Sequence, residues 1–290
     1  MIQTATPESF ENYTPRSEAG VRILSLVQAY GVEQSFLRFW RGEYGSAISL
    51  MDGHAVIELQ QEERDELFIF LTMQPEVRSV RTDEENARLL AALWPRSRLE
   101  TGAVLTLRDR IVPTGPADLT SSPREIYPIL QTGFGETLPA FDAWYADVSH
   151  RMRHGVCRAA VVREMGRPVA CAMTVAQARD GAVLGAVATL PDYRSRGYAS
   201  ACVTTLAAVL QGEGRRIDTG LKAAASIRIS VGWSVTSEFI PPITPATQTG
   251  PSSSQMRISP PLNLRSLPSR VCISSPGSAA LTKIFCPRRL

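Results

Sequence analysis

Chemistry based on cysteine or histidine has little to work with in this chain, which holds five cysteines and three histidines among 290 residues. Cys157, Cys171, Cys202, Cys272 and Cys286 stand far apart and form no C-x-x-C pair, which argues against a thiolate zinc site or a vicinal redox couple. They read as free thiols, the first three in apolar stretches where cysteine behaves as a small hydrophobe. His150 and His154 lie one helical turn apart beside Arg151 and Arg153, but no third ligand follows at a compatible spacing, so a solvated helix end is expected rather than a metal site. Long apolar runs are missing too: none approaches the roughly 18 residues a membrane helix needs. The opening stretch Met1–Gly20 is polar and broken by proline, without the basic start and apolar middle of a secretory signal, so a cytoplasmic location is expected. A formal charge of +3 with scattered Lys and Arg gives no basis for nucleic-acid binding.

Acidic residues vanish altogether after Glu238, and Pro241–Leu290 is a Pro/Ser/Arg stretch with no amphipathic period. Such a segment cannot bury a core and is expected to be disordered. Its abrupt start after a well-patterned region also has the look of a shifted reading frame or a gene remnant.

The patterned part reads as two similar halves. The first offers a helix at Glu18–Tyr30, strand-like runs at Ser35–Trp40, Ser46–Leu50 and Ala55–Gln60 with a hairpin turn at Met51–His54, a further such run at Glu66–Met73, and a helix over Thr82–Leu93. After a Pro-, Gly- and Ser-marked linker at Val112–Pro123 come a helical region Arg124–Arg153, strands at Cys157–Glu164, Pro168–Ala176 and Ala182–Leu190, and a helix at Tyr198–Leu210. Laid with Pro75 on Pro191, the halves suggest duplication of one unit.

The chemistry concentrates in Gly185–Ala199, GAVATLPDYRSRGYA: a strand, a proline-marked exit, then R-x-x-G-x-A opening a helix. Such a turn gathers backbone N–H groups at a helix N-terminus, where the partial positive charge favours a phosphate. Gly197 permits close approach and unusual dihedrals, Ala199 keeps the first helical turn clear, and Arg194 and Arg196 add positive charge. The strand–Pro–x–x–Arg–x–x–Gly–x–Ala pattern resembles the acetyl-CoA signature of the GCN5-related N-acetyltransferase (GNAT) family.

That resemblance implies a mixed α/β acyl-CoA N-acyltransferase-like fold in two tandem units, with acetyl-CoA as co-substrate. The backbone of Val187, Ala188 and Thr189 would meet the pantetheine arm, one amide polarising the thioester carbonyl, and the amides of Arg194, Ser195, Arg196, Gly197, Tyr198 and Ala199 would hold the pyrophosphate. The family transfers acetyl directly to an amine, with a later tyrosine protonating the leaving thiolate. Here the chain departs from the pattern: the nearest match to the family's N-x-x-A-x-x-x-Y-x-x-x-G-F segment is Ala224–Trp233, which sets Arg228 at the tyrosine and Leu221 at the asparagine. A guanidinium stays charged and cannot donate that proton. The fifth strand is also expected to be missing, leaving an exposed sheet edge.

The resulting expectation is a degenerate GNAT-like unit over 1–115, an acetyl-CoA-binding domain over 120–240 and a low-complexity tail over 241–290. The function expected is acetyl transfer to a primary amine of a small molecule or peptide, with no residue assigned as catalyst, no membrane partner and oligomeric state open. The alternative is a catalytically impaired acyl-CoA-binding or interaction protein. Glu136, in the loop GFGETLP, is a weaker candidate over the acceptor site, while Trp144 and Tyr145 read as packing residues. The first half lacks the glycine of the cradle and places Asp83, Glu84 and Glu85 where Pro75 alignment would put phosphates, so it reads as a scaffold.

Overall fold

The computed structural model describes residues 1–94, 97, 99–100, 102–222 and 233–236. Cys272, Cys286 and the 241–290 tail lie outside the described residues, as does Arg228.

The chain begins with β1 (Gln3–Thr4), α1 (Glu18–Tyr30), β2 (Leu37–Arg41), β3 (Ala47–Met51), β4 (His54–Glu58), α2 (Arg64–Thr72), β5 (Ser79–Arg81) and α3 (Glu84–Leu93). Ser17 caps α1 by accepting from the Gly20 amide, and Asp83 caps α3 by accepting from Asn86, each satisfying an amide that the helix start leaves bare. The β3–β4 hairpin turns on Asp52 and Gly53, both at positive φ (50° and 79°), as a two-residue hairpin of matching twist requires. Glu66–Met73 is helix rather than strand: α2 buries Leu67, Phe68 and Leu71 and exposes Ile69, a helical stripe that an apolar run conceals.

Next come β6 (Gly102–Leu107), β7 (Asp118–Thr120), α4 (Pro123–Phe134), α5 (Phe141–Arg153), β8 (Ala159–Glu164), β9 (Arg167–Gln177), β10 (Gly181–Thr189), α6 (Tyr198–Gly212), β11 (Arg216–Lys222) and β12 (Trp233–Thr236). The helical region expected over Arg124–Arg153 is thus two helices, and the linker at Val112–Pro123 carries β7 within it.

Among the described residues the strands form two sheets, one ordered β1-β2-β3-β4-β5 and the other β12-β6-β11-β10-β9-β8-β7. In each, three antiparallel strands lead into a strand that pairs in parallel with the next: β4 with β5 and β10 with β11. The two halves share this order, but it pairs β4–α2 with β10–α6. The stretch equivalent to the cradle is therefore Leu59–Arg64 and not Val80–Asp83. It too lacks glycine, and its Glu63, only 2% exposed, accepts hydrogen bonds from the Tyr44 and Ser46 amides at 2.9 Å. Burial works to raise the Glu63 carboxyl, but those donors hold it below the ordinary range.

The fifth strand is present. β11 runs parallel to β10, and its outer edge is covered by β6, Val104 facing Gly220 and Thr106 facing Asp218. β6 lies between β11 and β12, so the sheet has no open edge there. Thr106 Oγ1 donates to Asp218 at 2.7 Å. Leu105→Pro is expected to remove a ladder donor from an interior strand and cost about 3 kcal/mol or more in urea unfolding.

Three layers result. α6 packs Cys202, Leu206 and Leu210 against one face of the second sheet, whereas α4 and α5 cover the other. α1 lies on that second face as well, Val21, Ile23 and Leu24 meeting Ala176, Ala178 and Val183, so it joins the two sheets. Cys157, Cys171 and Cys202 are free and buried in these cores. Burial pushes the Cys157 thiol up to about 11 and that of Cys202 to about 12, leaving them unreactive near neutrality. No helix among the described residues is long and apolar enough to cross a membrane.

Candidate functional site

The site lies where β10 leaves β11. Their register runs from Gly181–Arg216 to Leu184–Thr219 and stops there, while β10 continues to Thr189 against β9 alone. Between Gly185 and Ala188 the β9 register shifts, and Ala186 takes φ 48°, a bulge that bends β10 away from its parallel neighbour. The Leu190 amide donates to Val169 at 2.9 Å, so alternation along the strand turns the amides of Val187 and Thr189 away from β9, towards the gap. Thr219 Oγ1 closes the apex of the fork by donating to the Leu184 carbonyl at 3.1 Å. Behind the bulge, a Cβ on Gly133 of α4 would come 3.2 Å from that of Ala188, so glycine lets the helix sit close.

Beyond β10 the chain makes a short 3-10 turn, Pro191–Tyr193, and enters α6 through Arg194–Gly197. Ser195 and Gly197 adopt φ of 62° and 82°. Left-handed residues this close together curl successive N–H groups inward into an anion-binding nest. The Arg194 amide is used by the Pro191 carbonyl, but the amides of Ser195, Arg196, Gly197, Tyr198 and Ala199 have no acceptor among the described residues. Gly197 forms the N-cap with no side-chain bond of its own, so the positive end of the α6 dipole stays open. Arg194, Ser195, Arg196 and Gly197 are all exposed.

The surrounding side chains fix the turn. Arg194 Nε donates to the Thr189 carbonyl at 3.2 Å, and an Arg196 guanidinium nitrogen donates to the Asp192 carbonyl at 3.0 Å. Arg196 also lies 5.2 Å from the Tyr193 ring centroid, so both guanidiniums rest beside the nest. The Tyr198 hydroxyl donates to Glu164 at the end of β8, and that bond raises the Tyr198 pKa.

The weaker candidates fall elsewhere. Glu136 is exposed in the turn Gly135–Thr137 after α4. Trp144 is buried against Tyr127, and Tyr145 lies under Arg124 at 4.5 Å. His150 stacks on Tyr30 at 4.6 Å and contacts the Ala29 carbonyl through Nε2 at 2.7 Å, joining α5 to α1 instead of ending in solvent. Neither the Ala186 bulge nor the left-handed Ser195 has a signal in the sequence, since neither residue type favours positive φ.

Residues 123–228 match the model of the acetyltransferase (GNAT) family. The chain carries a GNAT domain. No curated protein matches it. Among solved structures it is similar to a GCN5-related N-acetyltransferase from Sphaerobacter thermophilus, with TM-score 0.51 and 15% identity over 83% of this chain and 93% of that one. A tandem GNAT protein from the clavulanic acid biosynthesis pathway gives 0.50 and 12%, covering 83% and 96%. A Drosophila malonogaster protein gives 0.55 and 12%, covering 84% and 98%. At such identities the likeness establishes the fold, a mixed α/β tandem GNAT-like arrangement with two sheets. The GNAT domain holds both the fork and the nest, on either side of Pro191.

Proposed function

We propose that the GNAT domain binds acetyl-CoA and transfers its acetyl group directly to a primary amine. The observation that carries this reading is the run of unpaired amides from Ser195 to Ala199 at the start of α6, set one turn beyond a strand whose free amides face an open fork. The nest amides, with Arg194 and Arg196 beside them, suit the pyrophosphate. The Val187 and Thr189 amides suit the pantetheine arm and the thioester oxygen, and Ala188 turns its small side chain into the core under α4. Acetyl-CoA supplies an activated thioester. The chain's own part is to align that ester along β10, to stabilise developing charge on its oxygen by a backbone amide, and to admit the amine through the fork. Residues 1–115 then serve as a degenerate companion unit and 120–240 as the domain that holds the donor, with β6 of the first unit joining the sheet of the second.

Isothermal titration with acetyl-CoA and with CoA, coupled to a thiol-release assay over an amine panel, tests the reading. Saturable binding of both and thiol release with at least one amine are expected. Binding without turnover would instead favour a non-catalytic acyl-CoA-binding protein, in keeping with Arg228 at the position of the family's proton-donating tyrosine. Absence of binding would end both readings.

A further inference from the structure

Glu164 closes β8 and is held there by a two-residue turn. Met165 and Gly166 take φ of 48° and 78°, and Glu164 pairs with Arg167 across them, so the β8–β9 hairpin ends in a tight, fixed tip. Alternation along β8 sends its last two side chains to opposite faces of the sheet. Arg163 goes to the α4 side, where it meets Glu125 at 2.5 Å, and Glu164 goes to the α6 side, where it meets Tyr198. Val162, two residues earlier, and Cys202 of α6 share one buried core, which sets the first turn of α6 over the end of β8.

Tyr198 joins that strand end to the nest. It is the first residue of α6, and its amide is one of the nest donors without an acceptor among the described residues. Its ring packs against the core beneath α6 while its hydroxyl donates to Glu164. The bond raises the Tyr198 pKa, so the hydroxyl keeps its proton near neutrality and remains a donor. Gly197 makes such a hold necessary. Glycine is permissive, and at φ 82° with no side-chain cap bond it is the joint at which the loop meets the helix. On the loop side of that joint Arg196 is tied to the Asp192 carbonyl at 3.0 Å, and on the helix side Tyr198 is tied to Glu164. The two ties keep the amides flanking Gly197 aimed, and donors already aimed bind an anion without a further ordering cost.

We infer that Glu164 is a positioning residue for the pyrophosphate nest, acting through the Tyr198 hydroxyl and touching no part of the ligand. A side chain on a strand hairpin thereby sets how firmly the helix start holds its anion. The carboxylate's own charge works against a phosphate, so Glu164 helps binding only through the bond it accepts. This rests on the acetyl-CoA reading for the ligand, whereas the clamp on α6 stands apart from it.

The test titrates the full chain with acetyl-CoA and follows, without ligand, hydrogen exchange at the Ala201 amide, which donates to the Gly197 carbonyl at 2.9 Å and so reports a closed first turn. Glu164→Ala and Tyr198→Phe are each expected to weaken acetyl-CoA binding about tenfold, as lost preorganisation requires, and to speed that exchange. The double variant is expected to bind no more weakly than either alone, since both remove the same bond. Glu164→Gln, whose amide oxygen still accepts from the hydroxyl, is expected to stay within about threefold of wild type. In turnover the Glu164→Ala effect is expected in the KM for acetyl-CoA, with kcat and the amine KM unchanged. Wild-type affinity in Glu164→Ala or Tyr198→Phe, or Glu164→Gln binding as weakly as Glu164→Ala, would overturn the inference. Tighter binding in both Glu164 variants would overturn it too, by showing that the carboxylate acts on the phosphates through charge alone. If the wild type binds no acetyl-CoA, the acetyl-transfer reading falls and the exchange rates decide the clamp: faster exchange in Glu164→Ala and Tyr198→Phe sustains it, and unchanged exchange ends it.

Discussion

Glu18→Gln is expected to lower the free energy of unfolding by about 3–5 kcal/mol, the cost of leaving buried cations without their counter-ion. Glu18 is 2% exposed, the first residue of α1, and both its oxygens are engaged: Arg81 donates Nε and a terminal nitrogen at 3.0 Å each, and Arg22 donates Nε. Removing the charge leaves Arg22 and Arg81 facing one another in the layer between the sheets. Burial, followed by the repulsion of Arg81, already pulls Arg22 down to about 10 in the intact protein. The carboxyl itself sits below its ordinary range, because the two guanidiniums outweigh the burial that would raise it. A carboxyl depressed on folding stabilises fully above its unfolded pKa of about 4.3 and loses that contribution as pH falls through the lower folded value. Urea melts from pH 7 to pH 3 should therefore show wild-type stability falling towards that of the glutamine variant. A constant gap across that range would show that Glu18 acts by packing and not by charge.

Gly197→Val is expected to weaken acetyl-CoA binding at least a hundredfold while the domain still folds. At φ 82° a β-branched residue pays about 1–2 kcal/mol of backbone strain. A Cβ there meets nothing within 4 Å of the protein, so the fold itself gains no clash. What the side chain would crowd is the concavity of the nest. Gly197→Asn separates the two effects, since asparagine tolerates left-handed dihedrals yet still carries a Cβ. Titration calorimetry should find both variants impaired, with the valine variant alone showing a lowered melting temperature. Wild-type affinity in either would remove the nest from the account of this site.

Much of this site was legible along the chain. Helix α1 spans Glu18–Tyr30, the limits its apolar spacing predicts, because that spacing is a local property. The strand, Pro191, the turn and α6 followed each other in the order that the pattern G-A-V-A-T-L-P-D-Y-R-S-R-G-Y-A announces, and Gly197 does take the positive φ that only glycine adopts freely. Glu66–Met73 misled because LFIFLT is apolar enough to pass for a buried strand; its helical stripe shows only once Leu67, Phe68 and Leu71 have a sheet to face.

Other features depend on residues far apart in sequence. Gly102–Leu107 has no local mark that sends it into the second sheet, since its partner β11 begins more than a hundred residues later and the choice rests on backbone donors meeting across that distance. The covered edge of β11, the true counterpart of the cradle at Leu59–Arg64 and the Glu18–Arg22–Arg81 cluster all share that origin. Local chain chemistry was sufficient to write the anion nest, because its donors belong to consecutive residues. The fork that gives the nest a purpose depends on β10 and β11 pairing as far as Leu184–Thr219 and then parting at the Ala186 bulge, an arrangement of strands from separate segments that no stretch of consecutive residues can encode.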